Sequence, residues 1–72
     1  MFVREIKYNL VIMEDLKQLL RSSGSIAANY IEADEAESKR DFTHRCKICR
    51  KESKETWLWF EMLVTDLTNE QE

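Results

Sequence analysis

The chain has 72 residues, room for one small domain. Eleven Lys and Arg against fourteen Asp and Glu give a net charge of -3, so it is not a globally basic nucleic-acid binder. With no Pro and a single Gly (Gly24), an all-β sandwich or barrel is excluded, while 43% hydrophobic residues are too many for a disordered tail.

The first predicted element is a helix over about 2–34. Arg4, Glu5 and Lys7 stand where a signal peptide needs its apolar core, and no apolar run exceeds that at residues 10–13, far short of the roughly twenty that span a bilayer. A cytoplasmic protein without membrane contact is expected, with Cys46 and Cys49 as reduced thiols. Apolar residues recur at Val3, Ile6, Leu10 and Met13, then at Leu20, Ala27 and Ile31, the 3–4 spacing of one helical face. Phe2, Ile12, Leu16, Leu19, Ile26 and Tyr30 widen that face enough for more than one neighbour. Gly24, among serines 22, 23 and 25, costs about 1 kcal/mol relative to Ala in a helix. It is expected to bend the helix or to admit another backbone.

A turn is expected at about 34–38. Ser38 and Asp41 read as a capping box for the next helix, the Ser38 hydroxyl accepting a free amide and Asp41 reaching back. Glu35 and Glu37 sit favourably before its positive end.

The second helix is predicted over about 39–68. Phe42, Cys46, Cys49, Ser53, Thr56, Phe60, Leu63 and Leu67 follow an unbroken heptad spacing and are expected to face inward. Ile48, Trp59 and Met62 form a second apolar line beside it. The short turn folds the two rods back on each other, giving an all-α antiparallel hairpin as a single domain over 1–72. One seam cannot shelter Trp57, Trp59, Phe60 and the wide stripe of the first helix. Self-association is therefore expected, the hairpin being half of an up-down four-helix bundle.

Three groups of residues carry candidate chemistry. Arg21, Ser25, Asn29 and Glu32 share a face of the first helix, and Glu55 and Ser53 can meet them from the second. Such a ladder reads as an interhelical polar network that fixes register rather than as a metal or substrate site. His44, Cys46 and Cys49 are three soft ligands where a tetrahedral zinc site needs four, and the two thiols read as small packed side chains, so no metal or cofactor is expected. Residues 39–54 hold seven basic groups (Lys39, Arg40, Arg45, Lys47, Arg50, Lys51 and Lys54) against Asp41 and Glu52, a local charge of +5. Residues 55–72 hold five acidic groups and no basic ones. The basic band reads as a solvated face, or alternatively as a contact for RNA or DNA phosphates when repeated in an oligomer.

The segment Leu19-Leu20-Arg21-Ser22-Ser23-Gly24-Ser25-Ile26-Ala27-Ala28-Asn29-Tyr30-Ile31-Glu32-Ala33 resembles the signature of a bacterial four-helix-bundle family first known from intervening sequences of 23S ribosomal RNA genes. The resemblance continues through Ser38-Lys39-Arg40-Asp41-Phe42, Ile48, Arg50-Lys51-Glu52-Ser53-Lys54-Glu55-Thr56, Trp59 and Leu63, covering roughly residues 17–64. It implies an up-down helical bundle whose members often form ring-like pentamers and for which no enzymatic activity is established. A related branch, the accessory proteins of diversity-generating retroelements, binds nucleic acid and the reverse transcriptase as a basic pentamer. Measured against full-length members, this chain is expected to be the central two helices, so that copies complete the bundle as a dimer or a pentamer. The function expected is a non-enzymatic oligomeric scaffold with no small-molecule substrate, the alternative being a nucleic-acid-associated accessory module using residues 39–54.

Overall fold

Two helices joined by a four-residue turn account for the architecture. The computed structural model describes residues 2–71, with α1 spanning Phe2–Asp34 and α2 spanning Lys39–Gln71. Each has 33 residues, about 50 Å at 1.5 Å per residue, and they lie antiparallel in a rod of 56 × 16 × 11 Å. Helix α2 runs to Gln71 rather than ending near 68, since neither Gly nor Pro follows Leu67 to stop it. Helix α1 passes through Gly24 without interruption and without a positive φ.

Local chemistry sets the turn. The Ser38 hydroxyl accepts the amide of Asp41 at 3.0 Å, which satisfies one free donor of the first turn of α2. The Asp41 carboxylate lies 3.8 Å from Nε of Arg45, one turn further along α2. At the end of α1, the Glu35 amide donates to the Ile31 carbonyl at 3.1 Å and the Ala36 amide to that of Ala33 at 3.2 Å.

The seam between the helices differs from the one the periodicity suggests. On α1 the enclosed and half-enclosed positions run through Tyr8, Ile12, Asp15, Leu19, Ser22, Ile26, Asn29 and Ala33, a strict alternation of four and three residues. The expected inward line through Leu10, Leu20 and Ile31 lies on the far side of the helix. Leu20 is 72% exposed, whereas Ser22, 200° further round, is fully enclosed. On α2, Cys49, Thr56 and Leu63 of the expected line are half-buried, while Phe42, Cys46, Ser53, Phe60 and Leu67 are exposed. The seam there takes Arg45, Ile48, Glu52, Thr56, Trp59 and Leu63.

The physical reason is that close approach of two helices selects small side chains and paired polar ones at the contact, whatever the hydrophobicity of the other lines. Small side chains such as Ser22 and Ala33 let the helices come close, and their polar neighbours pair across the gap. The bulky line then faces away. Among the described residues Ala33 is the one buried apolar side chain, while seventeen large apolar side chains are each 40% or more exposed.

The result is a chain with excess surface. Its accessible area is 5974 Å², about a quarter more than the ~4,700 Å² of a compact monomer of this mass. The radius of gyration is 16.5 Å, against about 11 Å for a compact domain of this length. No helix of the described residues is long and apolar enough to cross a membrane.

Candidate functional site

Polar residues repeat every seven positions along the α1 seam line (Asp15, Ser22 and Asn29), and on α2 Arg45, Glu52 and Asp66 fall on the same seven-residue series, which Trp59 interrupts. Antiparallel pairing brings them into three layers. Nearest the turn, Asn29 donates from Nδ2 to the Ser25 carbonyl at 2.9 Å and to the Ser25 hydroxyl at 3.3 Å. Its Oδ1 accepts Nη1 of Arg45 at 3.2 Å. Arg45 is thereby held in the seam between Asn29 and Asp41.

In the middle layer the Thr56 hydroxyl donates to that of Ser22 at 2.9 Å. Beside it, Arg21 donates from Nη2 to Oε2 of Glu55 at 3.0 Å and from Nε to Oε1 of Gln18 at 3.0 Å. Its Nη1 is 3.6 Å from Oε2 of Glu52, a carboxylate that is almost wholly buried. The Arg21 guanidinium, followed by a hydrogen bond with Glu52, holds the Glu55 carboxyl below the usual carboxylate range.

The third layer is a carboxyl pair, Asp15 with Asp66. Asp15 is 3% exposed, and one oxygen of each carboxyl is buried without a hydrogen-bond partner. Burial pushes the Asp15 pKa up to about 6, aided by a hydrogen bond with Asp66 and by the charges of Asp66 and Glu14.

Of the expected polar ladder, the structure brings together Arg21 with Glu55, and Ser25 with Asn29; Ser53 donates to the Cys49 carbonyl at 2.7 Å within α2, and Glu32 stays exposed. Sequence reasoning missed Asp15, Glu52 and Asp66. The seven-residue recurrence of polar groups on α1 was the signal for Asp15; Glu52 and Asp66 gave none without the facing helix.

The basic band divides in two. Lys39, Arg40, Lys47, Arg50, Lys51 and Lys54 are exposed and fall within one third of the circumference of α2, on the side away from α1. Lys39, Arg40 and Lys47 line one open groove with Thr43 and His44, and Lys47, Arg50, Lys51 and Lys54 line the next with Glu55. Arg45 belongs to the seam instead. His44 and Cys46 are exposed and lie 200° apart around the helix, while the Cys49 thiol donates to the Ile26 carbonyl at 3.6 Å. Among the described residues no three His, Cys, Asp or Glu side chains are grouped to hold a metal ion.

No curated protein matches the chain, and no solved structure matches it. A family model described as 23S rRNA-intervening sequence protein matches residues 3–71, reaching past both ends of the motif at 17–64. With that match running along almost the whole of this two-helix hairpin, the chain belongs to the 23S rRNA-intervening sequence protein family.

Proposed function

We propose that this chain is a non-enzymatic protein that assembles with copies of itself into a helical scaffold. The observation that carries the reading is the distribution of side chains: the most enclosed positions of the seam are the polar or small Asp15, Ser22, Ala33 and Glu52, while seventeen large apolar residues are exposed. A monomer rarely leaves so much contiguous apolar surface in water. The non-enzymatic part is supported by the polar groups themselves, which pair with one another across the seam instead of converging on a cavity. The reading includes a cytoplasmic location, in which Cys46 and Cys49 remain free thiols. Sedimentation equilibrium from micromolar to nanomolar concentration tests it. The expected result is a mass that is a multiple of the chain mass, falling only on extreme dilution. A helical, stable monomer at all concentrations overturns it.

A second reading is favoured by the six cations on the outer face of α2. Repeated in an assembly, they form a surface for the phosphates of RNA or DNA. Titration with RNA and with duplex DNA at several salt concentrations tests it. Replacing Arg50, Lys51 and Lys54 by Glu should abolish salt-dependent binding while the helical content stays the same. Binding unchanged by that triple substitution removes this reading and leaves the scaffold in place.

A further inference from the structure

We propose that the back of α1 is the contact surface between copies, and that two copies meet there with their α1 helices antiparallel, in the register that seats Met13 of each copy on Gly24 of the other. The proposal deepens the self-association reading and rests on it.

Three observations lead to this surface. The outward line of α1 from Val3 to Ile31 advances by three and four residues alternately, passing through Met13, Lys17, Leu20 and Gly24. This is the spacing of a coiled-coil seam, which calls for a helical partner lying alongside for the full length. The line is open to solvent: Met13 is 65% and Leu20 72% exposed. A Cβ built on Gly24 meets nothing within 4 Å, so the hairpin itself makes no use of the missing side chain.

The distribution of size along the line sets the direction. Its N-terminal half is bulky (Ile6, Leu10, Met13) and its C-terminal half carries Gly24 and Ala27. A parallel pair in register stacks Gly24 on Gly24 and Ala27 on Ala27, leaving a gap, and crowds the bulky end. Reversing one copy sets large on small. With Ile6 opposite Ile31, Leu10 meets Ala27 and Met13 meets Gly24, giving the alternating fill that packed interiors require.

Charge agrees with size. The same register sets no like charges side by side at the flanking positions, and Arg21 keeps its partners Glu55 and Gln18 within its own copy. Lys17, the one charged residue on the line, falls opposite Leu20, where its stem covers apolar surface while the ammonium reaches water. A lone lysine at such a position also disfavours other registers. The area suits a second copy: the excess over a compact monomer, about 1,300 Å², exceeds the roughly 800 Å² that each partner gives to a standard interface.

Disulfide crosslinking in a background of Cys46→Ser and Cys49→Ser tests the register. Chains carrying Ile6→Cys and chains carrying Ile31→Cys should crosslink when mixed and oxidised, and neither should crosslink with itself. Self-crosslinking of Ile6→Cys chains, or no crosslink in any mixture of a proven oligomer, overturns the register and leaves self-association standing. A monomer overturns both. In parallel, Gly24→Leu should weaken association at least tenfold while the hairpin stays helical, because the added side chain has open space within one chain. Association as tight as in the parent overturns the seating of Met13.

Discussion

Asp15 of α1 and Asp66 of α2 face each other across the hairpin as a carboxyl pair, with one oxygen of each buried and unpartnered. Burial of Asp15, aided by its hydrogen bond with Asp66 and by the charges of Asp66 and Glu14, holds a proton there. The folded chain keeps that proton up to about pH 6, whereas an unfolded Asp loses it near the ordinary value of 3.8. Over that window the folded state binds more protons than the unfolded one, and stability falls as pH rises. Thermal melts of the Asp15→Asn variant should show no such fall between pH 4 and 6, and a higher melting temperature than the parent at pH 7. Parallel pH profiles for parent and variant would count against that held proton.

Glu55 acts with the opposite sign. Its carboxyl is held below the usual range by Arg21, so its contribution is present above the ordinary Glu pKa and is lost as the pH falls through the depressed folded value. Together the two groups place maximal stability on the acid side of neutrality. Arg21→Met should move that maximum and, by removing the cation nearest the buried Glu52, cost about 1–2 kcal/mol at pH 7. Adding Glu52→Gln to Arg21→Met should recover part of the loss, as a double-mutant cycle measured by urea titration will show.

Asn29 ties the turn end of the seam together, donating to Ser25 and accepting from Arg45. Asn29→Leu leaves the half-buried guanidinium without that acceptor, at a cost of roughly 1–3 kcal/mol, and should disturb assembly as well as the melting point. An unchanged oligomer and an unchanged melt would show that this layer does not fix register.

If the apolar outer surface is covered by other copies, folding and assembly are linked by mass action. The melting temperature should then rise with total chain concentration. A melting temperature constant over a hundredfold range of concentration would indicate a self-sufficient hairpin.

For the basic face of α2, affinity for nucleic acid should fall with salt at about 0.7–0.9 logarithmic units per phosphate contact. The slope should shrink when Arg50, Lys51 and Lys54 are reversed in charge. Arg45→Glu serves as a control for folding, since Arg45 is engaged with Asn29.

Much of this architecture was legible in the chain. The lack of Pro, the short acidic turn and the Ser38 cap determine two long antiparallel helices, and these are local signals. The motif from Leu19 to Ala33 was sufficient to suggest the family. Which line of each helix faces which neighbour was not legible. Periodicity ranks lines by hydrophobicity, and on α1 the more apolar line through Leu20 lies opposite the seam that holds Ser22. The polar partners Asp15, Glu52 and Asp66 were hidden for the same reason, because charged residues are read as solvated until a facing helix is known.

That Ala33 is the one buried apolar side chain among the described residues bears on how the molecule responds to temperature. The heat-capacity increment of unfolding comes from hydrocarbon newly exposed to water, and this hairpin on its own has less to expose than a compact domain of its length. If copies cover the outer surface, a large share of the increment attaches to the parting of chains. Chilling, which weakens hydrocarbon burial, should loosen the contacts between copies before it opens the hydrogen-bonded seam within each one.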